Sequence, residues 1–174
     1  MLPNPLHPAV VHFPIVLAFL LPLFAIGALV AIRKGARPLR AWSLPLVIGA
    51  ALTLSSWLAV ETGEDQDERV ERVVAEQPLE THEERAELFL TLSSVLLVVS
   101  VTGLVGGVVG RAGRLTATVG AVALVVAAAQ VGHSGGELVY KHGAASAYAP
   151  NPSGASTDAS GSTSNRIADR DRGE

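Results

Sequence analysis

Cysteine is absent from the 174 residues, which excludes disulfides, iron–sulfur clusters, thiolate zinc sites and haem attached through a Cys-x-x-Cys-His motif. Charge is sparse, at 17% of residues, and it is confined to short clusters. Four long stretches hold no Asp, Glu, Lys or Arg at all: residues 9–32, 44–60, 88–110 and 115–132. Once the connections between these stretches are set aside no basic stripe remains, so nucleic-acid binding has no support. Alternation of polar and apolar residues is missing too, which removes a membrane β-barrel.

What is present is apolar. Hydrophobic residues make up 49% of the chain and the mean hydropathy is +0.39. Runs of roughly 17 to 24 residues are long enough to cross a bilayer core, and in hydrocarbon each must bond its own backbone, which makes it a helix. The fold expected is all-α, a transmembrane four-helix bundle running up-down-up-down, with spans at about 9–32, 42–60, 86–110 and 115–134 inside a domain of residues 1–143. The flank Met1-Leu2-Pro3-Asn4-Pro5-Leu6-His7 carries no positive charge, so the first stretch is expected to stay as a span rather than act as a cleaved leader.

Charge segregation sets the expected sidedness. Arg33, Lys34, Arg37 and Arg40 lie between the first two stretches, and Arg111 and Arg114 between the last two, with no acid beside them. Both connections are expected to face the cytoplasm. Residues 61–87 hold eleven of the sixteen acids, so an outer acidic loop, 61–85, is expected on the opposite side. Both termini then lie outside the cytoplasm, in a multi-pass protein of the inner (cytoplasmic) membrane. Within the acidic loop Val70, Val73 and Val74 recur at helical spacing, as in a short helix along the membrane surface. Thr81 and Glu84 fit a capping box, so the third long helix is expected to begin near His82. Residues 144–174 are rich in Ser, Gly, Ala and Thr and are expected to be a disordered tail.

This topology gathers all five histidines at the outer face. His7 and His12 open the first span, His82 opens the third, and His133 and His142 close the fourth. A span beginning at Pro8 puts His12 about 6 Å in, and His133 lies about 27 Å from the start of the fourth stretch, so the two are expected at one depth. Facing imidazoles at matched depth suit the axial positions of haem b, and neutral imidazole also binds transition-metal ions. The candidate cofactor ligands are therefore His12 and His133, and the candidate metal ligands His12, His82 and His133. The plainer reading keeps His12 and His133 as interfacial polar residues, with His7, His82 and His142 solvated or supporting. Imidazoles near so many acids also suggest a pH-responsive outer face.

Other motifs are read structurally. Gly132-His133-Ser134-Gly135-Gly136 matches the nucleophile elbow of a hydrolase, but an apolar helix stands where the strand is needed, so Ser134 is not taken as a nucleophile. Gly103, Gly106, Gly107 and Gly110 give overlapping Gly-x-x-x-Gly spacings suited to close helix approach, either inside the bundle or in an oligomer. Pro22 should kink the first span. Trp42 and Trp57 sit where interfacial anchors would. The acidic loop lacks an EF-hand pattern, yet its charge would attract a basic soluble partner.

Further residues carry a resemblance. His7-Pro8, Val11-His12-Phe13-Pro14, Gly63 with Asp65, His82, Gly135-Gly136, Leu138-Val139-Tyr140 and Gly143 together make the chain resemble the bacterial membrane proteins of the domain of unknown function 2231 family, over residues 5 to about 143. The resemblance implies a small helical membrane protein near respiratory electron transfer and brings no activity with it. Two functional expectations stand side by side. One is a module binding haem b or a transition-metal ion near the outer face, with a soluble or membrane redox partner and lipid as surroundings. The other is a non-catalytic subunit or scaffold that recruits a partner through its acidic loop. A cation-coupled carrier has little support, because no charged residue lies inside a span. Whether the chain is an enzyme is left open.

Overall fold

The structure is a computed structural model and describes residues 6–149. Its elements are α1 (His7–Val10), α2 (His12–Arg33), α3 (Pro38–Glu64), α4 (Asp67–Val70), α5 (Glu76–Thr102), α6 (Gly107–Tyr140) and a closing 3-10 turn (Ala144–Tyr148). α1 and α2 run on as one rod of 27 residues, interrupted only at Val11. Pro14, three residues beyond Val11, has no N–H to offer the Val10 carbonyl. Four helices are long and apolar enough to cross a membrane. They form a ring in which α2 packs on α3, α3 on α5, α5 on α6 and α6 back on α2. Short connections between α2 and α3 and between α5 and α6 make neighbours antiparallel.

The helix boundaries follow local chemistry. Arg37 precedes Pro38 and is held extended at φ −67°, ψ 127°, while Pro38 opens α3, where a missing N–H costs nothing. α5 starts at Glu76, not near His82; Thr81 lies inside it and its hydroxyl donates to the Gln77 carbonyl at 2.9 Å instead of capping. The first three turns of α5 carry Glu76, Glu80, Glu83, Glu84, Arg85 and Glu87, so its hydrocarbon-crossing part begins at Leu88.

The connection between α5 and α6 is displaced from its expected place. The chain turns at residues 103–106, within an uncharged stretch, and α6 opens at Gly107 with φ +72°, a conformation that favours glycine. The four glycines at 103, 106, 107 and 110 therefore build a turn and do not line one helix face. Gly103 gives way to the Trp42 indole, which a Cβ would strike, and Gly110 to the Val105 carbonyl. The turn's carbonyls have no water to bond if they sit at the membrane boundary. Arg114, 6% exposed, reaches back to them, donating to Gly103 O at 2.6 Å and Val105 O at 3.0 Å. Trp42 is fully buried and donates to Ser100 O at 2.9 Å, so it is a core residue and not an interfacial anchor. Trp57 remains 47% exposed.

The bundle interior is built on small residues. Ala18 and Ala121 are almost wholly buried beside Leu21, Leu52 and Leu124, and Ala25, Ala28 and Ala117 surround Trp42. Small side chains let helix axes approach where water gives no drive toward association. Buried hydroxyls bond their own helices: Ser56 to Leu52 O, Ser93 to Leu90 O, Thr118 to Arg114 O. Val98, Val119 and Phe13 point outward, as lipid-facing residues do. A void of about 10 Å³ lies between Leu21, Trp42, Leu52 and Ser93. It holds at most one water, so a porphyrin has no place there.

The acidic segment is folded. Val70 and Val74 are buried against Leu79, Leu138 and Ala144, so they face protein where a surface helix along lipid was expected. Tyr148 of the 3-10 turn donates to Gln66 Oε1 at 3.2 Å and lies under the Arg69 guanidinium. Residues 144–149 are thus ordered, contrary to the tail expectation; the remainder of that expectation, 150–174, lies outside the described residues.

Candidate functional site

At the acidic end two imidazoles from different helices meet. The His7 and His82 ring centroids are 6.5 Å apart with planes at 86°. α1 carries His7 over the last turn of α3, and α5 carries His82 against α6. Glycines make both seats: a Cβ at Gly63 would lie 3.3 Å from His7 Cε1, and one at Gly135 would lie 3.0 Å from His82 Cε1.

The hydrogen bonds define which nitrogens carry protons. His7 Nδ1 lies 2.8 Å from the Ala59 carbonyl, which can only accept, so Nδ1 donates. The Thr62 hydroxyl, 3.4 Å away, gives its own proton to Leu58 O. His82 Nδ1 is 3.0 Å from Ser134 Oγ, and Ser134 donates to Val131 O at 3.0 Å. That leaves the Ser134 oxygen as acceptor and His82 Nδ1 again as donor. In both rings Nε2 keeps its lone pair. The same direction of bonding removes Ser134 as a nucleophile, since its proton goes to a carbonyl and not to the imidazole.

Burial favours the neutral form of both rings. Both rings lie beyond the hydrocarbon stretches, at the level of Asp67 and Glu83. Burial pushes His82 down to about 4, reinforced by His7 and Arg85 and opposed by the Val131 carbonyl. Burial also lowers His7, against the Ala59 bond and the Asp67 charge. Beside them the Asp67 and Glu83 carboxyls lie close to each other. Both are raised, first by burial and then by neighbouring acids: Glu71 for Asp67, Asp67 and Glu71 for Glu83.

The sequence-derived candidates separate here. His82 is in the site. His12 is exposed on the first turn of α2, five residues and about 7 Å deeper than His7. His133 is exposed and faces Glu137 at 3.9 Å. Counted from the true start of α6 at Gly107 it stands about 39 Å along that helix, beyond a core of about 30 Å. Because Ser134 is level with His82, and His82 with His7, His133 is not level with His12, and the structure does not bring those two together. His142 is half-buried past the end of α6. Sequence reasoning passed over His7, Ser134 and the seating role of Gly63 and Gly135. Among the described residues no three His, Asp or Glu side chains stand grouped as a ready-made metal cage.

Residues 3–147 match the family described as predicted membrane protein (DUF2231). The chain belongs to this family. No curated protein and no solved structure matched it. Four of the residues that carry the family resemblance, His7, Gly63, His82 and Gly135, come from four different helical segments and converge on this one site.

Proposed function

We propose that this membrane protein is an imidazole-based binding module, holding a transition-metal ion or the iron of haem b at the face away from the cytoplasm and serving electron transfer there. The observation that carries the reading is the His7–His82 pair, two neutral imidazoles packed together at one end of the bundle, each with an uncommitted nitrogen. The assignment of that end to the outside rests on the arginines at the opposite connections. A haem held through His12 and His133 would have to lie on the outside of the bundle, since both side chains point away from its interior.

The test is an absorption spectrum and metal content of the protein purified in detergent. A Soret band with split reduced-state bands identifies haem b; stoichiometric copper, iron or zinc identifies an ion. A colourless preparation that takes up neither haem nor metal on reconstitution removes the reading.

The scaffold reading draws on a different surface. Glu61, Glu64, Asp65, Glu68 and Glu71 are all exposed on the folded acidic segment, a patch suited to a basic soluble partner. Charge reversal across these residues should abolish co-purification of such a partner, while substitution of His7 and His82 should leave it intact.

A further inference from the structure

We infer that His7 and His82 form a two-nitrogen seat for a single first-row transition-metal ion, taken as the hydrated ion and not as haem. This inference rests on the binding-module reading and specifies its ligand and residues. Metal-bound histidines characteristically donate the far ring N–H to a carbonyl, carboxylate or other acceptor, which fixes the tautomer and turns the other nitrogen toward the metal. Both rings already have that arrangement: His7 Nδ1 gives its proton to Ala59 O, and His82 Nδ1 to Ser134 Oγ. The Ser134 hydroxyl is itself held, donating to Val131 O.

The separation is compatible with a shared ion. Bonds of about 2 Å to two imidazoles hold their centroids roughly 5 to 6.5 Å apart, and the rings stand at 6.5 Å, the upper end of that range. The surroundings favour a cation over a macrocycle. Thr62 and Ser134 are small and polar, and the Asp67–Glu83 carboxyl pair lies alongside, whereas a porphyrin needs a broad apolar slot. Imidazole nitrogen selects copper, zinc, nickel or iron, with water completing the coordination that two protein ligands leave open.

The test uses full-length, tag-free protein in detergent, titrated with Cu²⁺ and read by electron paramagnetic resonance, whose nitrogen couplings count bound imidazoles. One ion per chain with two imidazole nitrogens is expected. His7→Gln and His82→Gln should each lose one nitrogen and bind at least tenfold more weakly, while the double variant His12→Gln/His133→Gln should leave the spectrum unchanged. Should either single variant fail to fold, Gly135→Ala keeps both imidazoles but crowds His82, and it should weaken binding with altered couplings. Copper or haem that binds through His12 and His133, indifferent to His7 and His82, overturns this inference and leaves the binding-module reading standing. No uptake of copper, other metal or haem by any form overturns both.

Discussion

The two ends of the bundle use their inward-facing polar groups in opposite ways. At the arginine end two large polar side chains are committed to backbone carbonyls: Trp42 to Ser100, Arg114 to Gly103 and Val105. These bonds close off a turn that runs through apolar sequence. At the acidic end each imidazole commits one nitrogen and keeps the other. Buried polarity with complete partners reads as architecture. Half-buried polarity with one lone pair in reserve, on two rings at once, reads as a site.

The sharpest way to break this contrast is at Arg114. Arg114→Met should leave two turn carbonyls unbonded and destabilise the bundle by about 3 kcal/mol, seen as a lowered midpoint in thermal or denaturant unfolding in detergent. Metal uptake by the surviving folded fraction should be unaffected, because the turn and the imidazoles lie at opposite ends.

Ser134→Ala should do the reverse. It removes the group that orients His82, and losses of roughly 10- to 100-fold in metal affinity are typical of such changes. Unfolding should shift little, by about 1 kcal/mol. Equal effects of the two substitutions on stability would erase the distinction between the ends.

Acidity gives a smaller, graded effect. Neutral imidazole is the form that binds metal, and protonation of an ordinary exposed histidine begins to compete near its usual value of about 6.5. Because His82 is pushed down to about 4 and His7 is lowered as well, the proton competes later. Affinity should therefore hold level from pH 8 through 6.5 and weaken only at lower pH, as measured by copper titration at stepped pH. A fall centred on 6.5 would mean that the rings are not buried as described. The smallest effect is expected at Tyr148→Phe, which loses one part-exposed bond to Gln66 and should cost at most about 1 kcal/mol, detectable as faster hydrogen exchange in α4.

The four spans were legible because the absence of charge over about twenty residues has one physical solution in lipid. The gathering of histidines at one end followed from the same segregation. The α5–α6 turn was not legible: turns are recognised by exposed polar residues, and this one has its carbonyls satisfied from a distance by Arg114, eight residues beyond the last turn residue. That offset carried into the depth assigned to His133, and with it into the pairing of His133 with His12. Trp42 was misplaced because an indole near a helix end looks alike whether it faces lipid headgroups or a glycine across the bundle. His7 was passed over as solvated, since four residues of α1 carry no apolar pattern that would tie it to Gly63. The resemblance did contain a usable signal: a histidine and a glycine near each of two helix ends, the pattern of a ring set against bare backbone.

The order of the chain gives the histidine seat a particular birth. Its first imidazole leaves the ribosome at position 7, its second at 82, and the hydroxyl that aims the second only at 134. Until the last span has been threaded, His82 has no acceptor and the acidic segment lacks Leu138 and Ala144 to fold against. Whatever the seat captures, a half-made chain has no finished place to hold it.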